Sequence, residues 1–130
     1  MSVIDDSRPI FLQIAELIEN DIVSGELSEE SQVPSTNEFA AYHRINPATA
    51  AKGVNLLVES GILYKKRGIG MFVSTGARAQ LLATRRKEFQ HQYIAPLARE
   101  ARKLGITGAE LTAMISQSLS ADEPEGRATR

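Results

Sequence analysis

The sequence contains no cysteine, and that absence removes disulfides, thiolate zinc sites and cysteine nucleophiles together. No apolar stretch approaches the roughly 18 residues a helix needs to cross a bilayer. The opening, Met1-Ser2-Val3-Ile4-Asp5-Asp6-Ser7-Arg8-Pro9-Ile10-Phe11, lacks a basic region followed by an apolar run. No signal peptide is therefore expected, and the expected setting is cytoplasmic, with no membrane partner. There is no glycine loop opening a helix after a strand and no paired His/carboxylate cluster, so neither an enzyme nor a cofactor is expected. His43 and His91 lie far apart in the chain without a partner pattern. They read as satisfied or exposed side chains, and no metal site is expected.

What is present is ordinary globular material: 130 residues, 42% hydrophobic and 24% charged. That suits one domain, or one small domain with an appendage. The formal net charge of −1 hides a gradient. Residues 1–30 carry eight acids (Asp5, Asp6, Glu16, Glu19, Asp21, Glu26, Glu29 and Glu30) against Arg8, a net of −7. Residues 35–74 carry Arg44, Lys52, Lys65, Lys66 and Arg67 against Glu38 and Glu59, a net of +3. A polyanion responds to the local patch it meets, so a basic middle can serve on a nearly neutral chain, with the acidic start turned away.

Periodicity predicts a first helix from Pro9 to about Ser24, with Ile10, Ile14, Leu17, Ile18 and Ile22 on one face and Gly25 as its stop. A loop follows over Glu26 to Pro34. Ser35-Thr36-Asn37-Glu38 reads as a capping box that opens a two-turn helix ending near His43, with Phe39, Ala40 and Tyr42 turned inward. After an Arg44-Ile45 turn that plugs Ile45 inward, Asn46 caps a third helix and Pro47 occupies its first position. Ala50, Val54, Leu57 and Val58 make its apolar stripe, and Gly61 lies past its end. The opposite face shows Ala48, Thr49, Ala51, Lys52 and Asn55. Ile62 to Val73 reads as two strands around Gly68-Ile69-Gly70, a hairpin whose tip carries Lys65, Lys66 and Arg67.

Ala77 to Leu104 is a long helical segment striped with Leu81, Leu82, Phe89, Tyr93, Ile94, Leu97, Ala101 and Leu104. Pro96 should kink or interrupt it. Thr107-Gly108-Ala109-Glu110 is a second capping box, opening a short helix with Leu111, Met114, Ile115 and Leu119. The expected organisation is 1–75, 76–121 and a disordered tail over 122–130. The expected fold class is mainly α with a small β-hairpin wing: a winged helix-turn-helix followed by two C-terminal helices.

In a helix-turn-helix the second helix of the pair lies in the DNA major groove, and small side chains such as Ala48 and Ala51 permit close entry. The starts of both helices can offer N–H groups to phosphates, as can the hydroxyls of Ser35 and Thr49. Lys65, Lys66 and Arg67 can reach phosphates or the neighbouring minor groove.

Four pieces in register carry a resemblance to a known family: Ile10-Phe11-Leu12-Gln13-Ile14; Val33-Pro34-Ser35-Thr36-Asn37-Glu38-Phe39-Ala40; Ile45-Asn46-Pro47-Ala48-Thr49-Ala50-Ala51-Lys52; and Gly61-Ile62-Leu63 with Arg67-Gly68-Ile69-Gly70-Met71-Phe72-Val73. Over Pro9 to Val73 the chain resembles the GntR family of bacterial regulators. The ~55 residues after the wing are too few for a large effector domain. With Glu88-Phe89 and Glu100-Ala101-Arg102-Lys103-Leu104-Gly105-Ile106-Thr107, they look like the YtrA-like subgroup, whose extra helices serve dimerisation. The resemblance implies DNA contacts at Ser35, Asn37, Asn46, Pro47, Ala48, Thr49, Lys52, Arg67 and Gly68. The family often has arginine where Asn37 stands and can have a basic residue where Ala51 stands, which shifts affinity toward Lys52 and the wing.

The function expected is an operator-binding regulator, most simply a repressor. Its expected partners are duplex DNA and a second copy of the chain; no residue pattern identifies a small-molecule effector. Leu82, Phe89, Tyr93, Leu97, Leu104, Leu111 and Ile115 are the candidate dimer contacts, because a small head cannot cover that stripe and a twofold partner can. A twofold dimer implies a near-palindromic site. The chief rival is a winged helix used for protein–protein contact without specific DNA binding.

Overall fold

The computed structural model describes residues 4–122. The tail expected over 122–130 lies, apart from Asp122, outside the described residues. Element order is α1 (Ile10–Ser24), α2 (Thr36–His43), α3 (Pro47–Glu59), β1 (Leu63–Lys66), β2 (Gly70–Val73), α4 (Ala77–Phe89), a π-helical turn (Gln90–Ile94), α5 (Ala95–Leu104) and α6 (Gly108–Ala121). The chain divides between Arg85 and Arg86 into two compact units.

In the first unit, local chemistry sets each helix end. Pro9 is the N-cap of α1, one position earlier than its expected place inside the helix, and Gly25 closes α1 in the left-handed region at φ 93°. The capping box of α2 is complete: Ser35 Oγ accepts from the Glu38 N–H at 3.1 Å, and the Ser35 N–H donates to Glu38 Oε1 at 2.9 Å. Arg44 ends α2 in the left-handed region at φ 57°. The turn then sends the Ile45 N–H back to the Ala40 carbonyl. Asn46 Oδ1 caps α3 by accepting from the Ala48 N–H at 2.7 Å, with Pro47 beside it.

These ends place one apolar face of each helix on a common core. Ile14, Ile18 and Ile22 of α1 meet Phe39 and Ala40 of α2 and Ala50, Val54 and Leu57 of α3. Ile62, Leu63 and Val73 close the core from the hairpin side, and five of its members, Ile14, Ile22, Ile62, Leu63 and Val73, are almost fully buried. Each such side chain contributes about 1.5–3 kcal/mol by leaving water. Two expectations need correction here. Tyr42, expected to face inward, is 81% exposed, because a two-turn helix buries one narrow face and Phe39 and Ala40 fill it. The segment expected to end the head at residue 75 continues, since Ala77 and Leu81 of α4 are buried in the same core.

The hairpin is antiparallel, pairing Leu63 with Val73, Tyr64 with Phe72, Lys65 with Met71 and Lys66 with Gly70. The preceding loop joins it. Glu30 donates its N–H to the Val73 carbonyl, Val73 donates back to Ser31, and Val33 donates to Met71. Gln32 bridges Phe72 in antiparallel register. The stretch read as plain loop thus covers one edge of the hairpin, a protection that edge strands require.

In the second unit Pro96 has an identifiable effect. Proline has no N–H, and its ring crowds the carbonyl four residues back. The helix widens into the π turn before it, the Ala95 N–H reaching Gln90 O, and α5 starts immediately after. Gly105, at φ 71°, ends α5. Thr107 and Glu110 form the second complete capping box and open α6.

Candidate nucleic-acid interface

The turn between α2 and α3 is short because Arg44 and Ile45 reverse the chain in two residues, so both helix starts open on solvent. At α2 the Ser35 hydroxyl oxygen already accepts the Glu38 N–H, which leaves its hydrogen free to donate. At α3 the capping chemistry uses most of the end: Pro47 has no N–H and Asn46 takes that of Ala48. The Thr49 N–H is the first-turn donor left for a phosphate, which is fewer than two open helix ends would offer.

Along α3, Ala48, Lys52, Asn55 and Glu59 are exposed on one side while Thr49 and Ala51 are half-buried. Ala48, Ala51, Lys52 and Asn55 line a shallow depression with Leu56 and Glu59. Lys52 does not extend freely from it: its Nζ lies 4.1 Å above the ring of Phe11 on α1, a cation–π contact worth about 0.5–1 kcal/mol at an exposed site. Asn37, behind Ser35 on α2, is exposed.

The wing cations diverge. Lys65 and Lys66 belong to β1, and successive strand residues point to opposite faces. Lys65 shares the face of Leu63, whereas Lys66 packs its Nζ 4.3 Å over the Phe72 ring, on the face where Tyr64 stacks on Phe72. Arg67 alone stands in the three-residue tip with Gly68 and Ile69, where Gly68 adopts φ 76°. The tip is braced from outside the hairpin by Gln32, whose Nε2 donates to Ile69 O at 3.0 Å. A β-carbon at Gly70 would stand 2.5 Å from that nitrogen.

Four residues that the pattern reading passed over position this surface. Gly53 lets α3 lie against α1. Gln13, buried, donates from Nε2 to the carbonyls of Asp5 and Arg8, both at 2.8 Å, and accepts the Asp5 N–H. It thereby ties down the segment before α1. Glu30, at φ 67°, accepts from the Tyr64 hydroxyl and, at 2.5 Å, from the Thr75 hydroxyl. Those bonds, that of Thr75 first, hold its carboxyl below the ordinary range, and they fix the base of the hairpin. Gln32 is the fourth. A glycine inside a helical pattern was the one available signal among them.

The seven candidate dimer positions fall mainly outside the first core. Leu82 and Leu111 are half-buried. Phe89, Tyr93, Leu97, Leu104 and Ile115 are exposed, Leu104 by 64% and Tyr93 by 61%. The Phe89 and Tyr93 rings pack 5.5 Å apart.

Three helices, a tight turn between the second and third, and a braced two-stranded wing define a winged helix-turn-helix, the architecture of DNA-binding regulators. Residues 11–73 match the profile of the bacterial regulatory proteins of the gntR family. The chain is similar to a GntR family transcriptional regulator from Listeria monocytogenes, with 30% identity, a TM-score of 0.75, and coverage of 87% of this chain and 97% of that one. It is 27% identical over 121 residues to the HTH-type transcriptional repressor YtrA of Bacillus subtilis, spanning 93% of this chain and 92% of that protein. The head is also similar to the DNA-binding domain of AraR solved in complex with operator ORX1, at 26% identity and TM-score 0.52, covering 55% of this chain and 93% of that one. The chain belongs to the GntR family, and its resemblance to YtrA runs through the helices after the wing. Among the described residues no helix is long and apolar enough to cross a membrane.

Proposed function

We propose that this protein is a cytoplasmic, non-enzymatic transcriptional repressor that binds near-palindromic operator DNA as a homodimer. The observation that carries this reading is the exposed face of α3. It is small at Ala48 and polar at Lys52 and Asn55, follows a tight turn and stands beside a braced cationic wing. α3 enters the major groove. Ser35, Asn37, Asn46 and the Thr49 N–H position it on phosphates, with Pro47 and Ala48 giving close approach. Thr49 and Lys52 face base edges, and Lys65, Lys66, Arg67 and Gly68 follow the flanking backbone. The likeness to an operator-bound DNA-binding domain supports the same placement.

Residues 76–121 supply the dimer contacts in this reading, although the first two turns of α4 also belong to the head. The exposure of the large apolar side chains Phe89, Tyr93, Leu97, Leu104 and Ile115 supports it, since apolar surface left open to water is what an interface covers. The test is a salt titration of affinity for operator duplex selected from a random pool. Neutralising Z phosphates gives a slope near −0.9Z in log K against log salt. A protein-contact module would bind no selected duplex and show no such slope.

A further inference from the structure

A second concavity lies away from the α3 face. The end of α1, the loop after it and α2 enclose a cleft of about 810 Å³, within the range of sites that hold small organic molecules. Its floor is apolar, formed in part by Leu27, Val33 and Phe39. Among the described residues its charged groups are Asp21 and Glu38, with no lysine or arginine. Among the described residues the Asp21 carboxylate has no hydrogen-bond partner, and partial burial, with Glu26 nearby, raises its pKa. Glu38 spends one oxygen on the Ser35 N–H and keeps the other.

The remaining wall is aromatic. The His43 ring lies 4.3 Å from that of Phe39 and meets Tyr42 edge-on at 4.9 Å. His43 Nδ1 is buried without a partner, and burial lowers the His43 pKa despite the pull of Asp21. Burial thus opposes a positive charge on this ring. Tyr42, at 81% exposure, is a large aromatic that the fold does not cover.

We infer that this cleft is a binding site for a small organic cation, an ammonium group carried on an apolar body. Carboxylates beside aromatic faces attract such a cation through charge and ring quadrupole together. The same carboxylates disfavour a small organic anion in the cleft. A bare metal ion is the wrong occupant, since among the described residues no group of three His, Asp or Glu is placed to hold one. The site lies wholly on the head and does not depend on the DNA reading.

The test uses the full chain, labelled with ¹⁵N, titrated near neutral pH with 2-phenylethylammonium, the neutral 2-phenylethanol and the anionic phenylacetate. The ammonium should saturate amide shifts centred on Asp21 and on Glu38 to His43. The alcohol should bind roughly tenfold more weakly or less, and phenylacetate should produce no saturable shift there. Asp21→Asn and Tyr42→Ala alter exposed side chains, so both should keep the wild-type spectrum elsewhere, and each should weaken the ammonium by about fivefold or more. Equal binding of cation and alcohol, shifts centred away from α2, or undiminished affinity in both variants would each overturn the assignment.

Discussion

Gly53 of α3 sits directly against the Phe11 carbonyl of α1, where a β-carbon would stand 2.7 Å from that oxygen and 2.9 Å from Ile14 Cγ2. The closeness is the reason α1 and α3 form the most extensive helix pair of the head. It also sets the height at which the exposed side of α3 stands above the core. One residue away, Lys52 rests on the Phe11 ring, so the same α1 residue backs the helix with its carbonyl and its side chain.

Gly53→Ala should destabilise the protein. A helix-interior alanine gains up to about 1 kcal/mol over glycine. Forcing a methyl against a backbone carbonyl, which cannot rotate away, costs about 1–3 kcal/mol. The expected outcome in urea denaturation is a lower midpoint with an unchanged slope, a net loss of about 1–2 kcal/mol. A variant as stable as the parent would show that the two helices separate freely.

Most of the fold was legible because its helix boundaries are written in short local codes. Ser35 with Glu38, Asn46 with Pro47, and Thr107 with Glu110 each need only neighbours in sequence, and all three caps form as read. Tyr42 was misplaced because an eight-residue helix has too few turns for periodicity to separate its faces. Glu30 and Gln32 were missed for a different reason. Their partners, Thr75 and Ile69, lie 45 and 37 residues away, and no local pattern announces such pairings. At the candidate site the residue types were legible but not their directions: three adjacent cations resolve into two strand faces and a tip.

Glu30 makes the hairpin base sensitive to acid. Its folded pKa lies below the ordinary value of 4.5, so its contribution is fully present above that value and is lost as pH falls through the folded one. Glu30→Gln should therefore lower Tm at neutral pH. The gap from wild type should narrow as pH falls through the folded pKa of Glu30, below which both side chains are uncharged. A gap that is constant across pH would assign Glu30 a purely steric role.

Disrupting the exposed stripe should give monomers without unfolding the head. Leu97→Lys with Leu104→Lys places charge on side chains already 39% and 64% exposed, outside the first core. Light scattering should report half the parental mass while circular dichroism is preserved. Operator affinity should fall by about tenfold or more as the second half-site contact is lost. Truncation is the poorer test, because any cut before Leu81 removes core residues as well. A persisting dimer in the double variant would place the interface elsewhere.

Arg67→Ala should weaken binding to every duplex by a similar factor and lower the salt slope by about 1 unit. Arg67 is the cation of the hairpin tip, whereas Lys66 is held over Phe72. Gln32→Ala removes the brace on Ile69 without removing a charge. It should therefore cost affinity while leaving the slope nearly unchanged. If both variants retain full affinity, the hairpin does not touch DNA.

Thr49 and Lys52 should divide the work of base discrimination unequally. Thr49 is half-buried at the start of α3. A threonine methyl is suited to a thymine methyl, and its loss should relax preference at one base pair by about 1–3 kcal/mol. Lys52 must give up the Phe11 ring to reach a guanine edge, at a cost of about 0.5–1 kcal/mol. Its net discrimination should therefore fall short of a freely extended lysine. Phe11→Leu removes that competing contact while keeping an apolar side chain, so it should raise affinity for the operator when Lys52 is present and leave it unchanged in Lys52→Ala. Binding to a panel of single-base operator variants measures all four proteins. Even losses across the panel for both Thr49→Ala and Lys52→Ala would mean that these side chains touch only phosphate, and that sequence preference comes from DNA shape.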